Sequence, residues 1–121
     1  MRVVAVTLDS NCEELVRTAL GNIETETRFV PWAGDDIASL RQDEFDVCLK
    51  ADLVMLQNPL CGSYATRQLS DMLANNGVRV SIIGTTRIYD HNSKWEYHYP
   101  SVQEIAWLVN EITRRLQSVP N

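Results

Sequence analysis

Cysteine, glycine and net positive charge are all scarce in this sequence, and each scarcity closes off a class of function. The three cysteines, Cys12, Cys48 and Cys61, are odd in number and irregularly spaced, which fits reduced thiols better than a disulfide framework. No CxxC pair occurs, and the two histidines, His91 and His98, have no clustered Cys or Asp partners. No structural zinc, and no other metal or cofactor, is therefore expected. Five glycines scattered over 121 residues supply neither a GxGxxG dinucleotide loop nor a Ser/Thr/Gly-rich phosphate loop after the first strand. A formal net charge of −5 argues against a nucleic-acid surface. No apolar run reaches the roughly 18 residues of a membrane span, and no charged-then-apolar leader opens the chain. The expected location is the cytoplasm, with no membrane partner.

What is present is ordinary globular composition, 45% apolar and 22% charged, enough for one domain spanning residues 1–121 with a core that needs no disulfide. Apolar runs alternate with helical patterns. Residues 1–8 (MRVVAVTL) read as a buried β-branched strand. Ser10 with Glu13 is a capping box opening a helix whose apolar face is Leu15, Val16, Ala19 and Leu20, ended by Gly21-Asn22. A second strand covers 25–30 and stops at Pro31; Asp35 then caps a helix carrying Ile37 and Leu40. The fully apolar 53–56 (LVML) predicts a central third strand. A helix over 63–75 turns Leu69, Met72 and Leu73 inward and stops at Asn76-Gly77, before a fourth strand over 78–83. Residues 84–93 read as a long loop and 94–99 as a short edge strand. Ser101 with Glu104 caps a last helix with Val102, Ile105, Val109, Ile112 and Leu116 at helical spacing. This alternation predicts an α/β fold with helices on both faces of a five-stranded parallel sheet, in the flavodoxin-like order 2-1-3-4-5.

In such a sheet, chemistry gathers at the carboxyl ends of the central strands. The first strand delivers Asp9, Ser10 and Asn11 there, the third Gln57 and Asn58, the fourth Thr85 and Thr86. These residues resemble the response-regulator receiver family. Asp52 to Leu56 is similar to the DLVLL strand that ends in the family's phospho-accepting Asp, with Leu60 and Gly62 at the family's downstream offsets. Asp9-Ser10 resembles its acidic pair, Thr85 its switch residue, and Tyr99-Pro100 its Lys-Pro. The resemblance implies a receiver-like domain whose site is degenerate: Gln57 stands where the acceptor Asp belongs, Ser10 replaces an acid, and Tyr99 replaces the Lys. Phosphoryl transfer needs a carboxylate nucleophile, Mg²⁺ held by acids and a cation, and this set lacks them. Relative to a usual receiver the segment between Thr85 and Tyr99 is also short, so the resemblance implies a fourth helix that is shortened or absent. Asp9 has a plainer reading as a turn residue before a helix.

Two further constellations remain. Cys61 and Arg67 have the C-x5-R spacing with which thiol-dependent phosphatases cradle phosphate, although residues 57–60 intervene between strand and Cys61. Trp95, Tyr97 and Tyr99 alternate onto one face, and Trp107 lies off the apolar stripe of the last helix. Together they form either a partner-binding surface or a cover for the sheet edge. The resemblance implies protein partners, a histidine kinase or a transcription regulator, and a homodimer through this face. The resulting expectation is a non-enzymatic, phosphorylation-independent signalling module that works by protein–protein interaction, with a phosphatase using Cys61 and Arg67 as the alternative.

Overall fold

The computed structural model describes residues 1–8, 10–21, 23–32, 36–58, 64–84, 97–98 and 102–118. In chain order the elements are β1 (Arg2–Thr7), α1 (Ser10–Leu20), β2 (Glu26–Pro31), a 3₁₀ turn (Ile37–Ser39), α2 (Gln42–Leu49), β3 (Leu53–Asn58), α3 (Tyr64–Asn75), β4 (Val80–Gly84), β5 (Tyr97–His98) and α4 (Val102–Ser118). The sheet order is β2-β1-β3-β4-β5, and every pairing is parallel. Four strands carry it. The edge strand expected over 94–99 is reduced, among the described residues, to the two residues of β5, which pair with Ile82 and Ile83. The helix expected to be shortened or absent falls within 85–96, outside the described residues.

The layers follow from side-chain alternation along the strands. Val4, Val6, Val54, Leu56 and Ile82 point to one face, where Trp32, Cys48, Leu69 and Leu73 complete a core under α2 and α3. Val3, Ala5, Leu53, Met55 and Ile83 point to the other, against Val16, Ala19, Ile105, Val109 and Ile112 of α1 and α4. Residues Leu53 to Leu56 are no more than 1% exposed, so β3 is covered on both sides. Pro31 sits at the end of β2, an edge strand, where a missing N–H costs no ladder bond.

Several expectations are corrected. Asp35, expected to cap the second helix, lies outside the described residues; its neighbour Asp36 caps a 3₁₀ turn, its carboxylate accepting from the Ala38 N–H at 3.0 Å. The helix proper is α2, which begins after extended backbone at Leu40 and Arg41. Ser10 is the first residue of α1, and Glu13 accepts from Arg17 at 2.7 Å, one turn on. Met72 and Val102, placed inward by spacing, are exposed. Asn76-Gly77 does end α3, with Gly77 in the left-handed region at φ 81°. Nothing lies within 4 Å of a Cβ built there, so the demand is conformational and not steric. Gly77→Ala is expected to lower stability by about 1 kcal/mol and Gly77→Asn by less, as read from urea unfolding midpoints.

Candidate functional site

The chain leaves β1 toward the α1/α4 face and leaves β3 toward the α2/α3 face. Between these two carboxyl ends the connections diverge, which makes this the topological switch point where such sheets bind ligands. The ladders show the opening. The β1–β2 ladder runs on to Thr7 and Pro31, and the β3–β4 ladder to Asn58 and Gly84. The β1–β3 ladder stops earlier, at Val6 and Leu56.

Gln57 closes the floor of that opening. It is 2% exposed, and its Oε1 accepts the Leu8 backbone N–H at 2.6 Å. A side-chain amide thus takes over where the main-chain ladder ends, and ties the start of the β1–α1 connection to β3. Ser10, two residues after Leu8, opens α1 at the same edge and is exposed. The acceptor position of the receiver resemblance is therefore occupied by a neutral residue whose side-chain oxygen is turned onto backbone.

Asp9, Cys61, Thr85, Trp95 and Tyr99 lie outside the described residues. Arg67 is exposed on α3, Tyr97 belongs to β5, and Trp107 is 63% exposed on α4. Cys12 and Cys48 are buried. Burial, helped by the nearby Glu44 charge, pushes the Cys48 thiol up to about 11 from its ordinary 9.0, so it stays protonated and is no nucleophile. Among the described residues no group of His, Cys, Asp and Glu could hold a metal ion, and no helix is long and apolar enough to cross a membrane. The sequence reading missed the tie made by Gln57; its one signal is a polar residue directly following four buried apolar ones.

No protein-family model matches the sequence, and neither does any curated protein. Among solved structures the chain is similar to the CMP N-glycosidase of Clostridium botulinum. The match has a TM-score of 0.59 and 14% sequence identity, over 91% of this chain and 99% of that one. At that identity the likeness shows a shared fold. The expectation of a non-enzymatic domain finds no support in this comparison and is set aside: the structure whose fold is matched over nearly its full length is that of an enzyme. It gives no support to the receiver resemblance.

The Gln57 tie makes a direct prediction. Gln57→Leu leaves a part-buried N–H at Leu8 without its acceptor and is expected to lower unfolding free energy by about 1–3 kcal/mol. The same change at the exposed Gln68 is expected to stay within about 0.5 kcal/mol. Amide exchange at Leu8 should accelerate only in Gln57→Leu.

Proposed function

We propose that this chain is a hydrolase acting on the N-glycosidic bond of a nucleoside monophosphate, with CMP the first candidate, at the crevice between the carboxyl ends of β1 and β3. The observation that carries the reading is the near-complete fold match to a CMP N-glycosidase, in a sheet whose switch point lies where small ligands bind. The reaction is simple in its balance. A water oxygen bonds to C1′, the C1′–N bond breaks, and the base departs with the electron pair and takes up a proton.

That chemistry calls for polar groups of two kinds. A carboxylate stabilises positive charge developing at C1′ and accepts the proton of the attacking water, as in other glycoside hydrolyses. Neutral donors and acceptors orient the sugar and base. Gln57 and Ser10 are neutral. By sequence, the acid next to the anchored Leu8 is Asp9, which this reading assigns as the carboxylate. Anchoring Leu8 to β3 supports the reading, since a reacting group profits from a fixed neighbour in the backbone.

The test is release of free base from the four common ribonucleoside monophosphates, followed by chromatography. Cytosine and ribose 5-phosphate should accumulate from CMP. Asp9→Asn should reduce kcat by at least about 100-fold while leaving the urea midpoint near that of the parent. Absence of base release from all four nucleotides would refute the activity, and an unchanged kcat in Asp9→Asn would refute the assignment of the acid.

A further inference from the structure

At the other end of the sheet, the amino end of β4, a groove of about 570 Å³ opens between the end of α3 and the outer side of α4, within the size range of small-ligand sites. Trp107, Glu111 and Arg115 follow one another at four-residue spacing on one wall, and Arg79 and Asn75 stand on the other, with Leu108 and Ile112 in the lining.

The chemistry of this lining is specific. Trp107 is 63% exposed, an uncovered indole face beside a concave surface. Arg79 is exposed and makes no ion pair among the described residues. The acid of the groove, Glu111, is committed to Arg114 through two bonds of 2.8 and 2.7 Å. Of the carbonyls at the end of α3, which would repel an anion, those of Met72, Leu73 and Ala74 already accept hydrogen bonds. Asn76 Nδ2 donates to Met72 O at 2.7 Å, while Asn76 N and Val78 N donate to Leu73 O and Gly77 N to Ala74 O. A chain of net charge −5 thus presents the Arg79 guanidinium and an exposed indole around one cavity, with Arg115, already engaged in an interaction of its own, in the lining.

We propose that this groove binds a small planar anion, an aromatic or heteroaromatic ring carrying a phosphate, with the ring against Trp107 and the phosphate held by Arg79. The site lies at the opposite end of the sheet from the β1/β3 crevice, so a ligand there is not the molecule being cleaved. Indole stacks on planar rings, and guanidinium is the side chain best matched to phosphate.

The experiment uses the full chain labelled with 5-fluorotryptophan and followed by fluorine NMR, with the Trp107 signal assigned through Trp107→Phe. The probes are 1-naphthyl phosphate, which has no N-glycosidic bond and so reads this site whatever the outcome for the proposed hydrolysis, and AMP, which asks whether a nucleotide also fits. Adenosine and inorganic phosphate are the controls. A saturable shift of the Trp107 signal with 1-naphthyl phosphate is expected, with the buried Trp32 signal unmoved and adenosine at least about tenfold weaker than AMP. Arg79→Gln should weaken 1-naphthyl phosphate by about tenfold, with an unchanged Trp32 signal reporting an intact fold. A Trp107 signal unmoved at millimolar probe, adenosine binding as well as AMP, or full affinity in Arg79→Gln would each overturn the proposal.

Discussion

Burial of β3 on both faces is the constraint from which the rest of this structure follows. Leu53 and Met55 face α1 and α4, Val54 and Leu56 face α2 and α3, and none of the four is more than 1% exposed. Each such side chain contributes about 1.5–3 kcal/mol relative to an exposed position, and only a strand with helices on both sides can bury all four. The crossovers must therefore leave neighbouring strands toward opposite faces. That divergence, between β1 and β3, creates the crevice.

The same constraint explains Gln57. At the first position beyond the apolar run the strand is still buried, yet the backbone ladder to β1 has ended. A part-buried N–H at Leu8 has to find an acceptor, and an amide side chain long enough to cross the gap provides it at 2.6 Å. Structural economy and site geometry coincide here: the bond that satisfies Leu8 also fixes the entry to the β1–α1 connection, where Asp9 and Ser10 follow. Reading Gln57 only as a lost phosphoacceptor misses this positive role.

Strongly patterned elements were legible in the sequence. The β-branched run of β1, the apolar run of β3, and the α3 stop at Asn76-Gly77 all announce themselves through periodicity or backbone demand. Residues 36–49 do not. Phe45, Val47, Cys48 and Leu49 crowd together without a clear stripe, and only Cys48 is fully buried, so the pattern could not separate a 3₁₀ turn from the helix after it. Met72 and Val102 fit their apolar stripes by spacing but lie where their helices overhang solvent. The candidate site was legible as a place and not as a chemistry, because the strand order follows from packing and is shared by proteins with unrelated functions. The groove near Trp107 was not legible at all, since Arg79 and Arg115 come from segments that only the fold brings together.

The central claim is that function resides at the crevice floored by Gln57. Amide chemical-shift mapping of the full chain during titration with CMP tests it most directly. Saturable shifts at Leu8, Ser10 and Gln57 are predicted, beginning at the end of β1 and fading along α1. A titration to millimolar CMP that leaves those three amides unmoved would contradict the account.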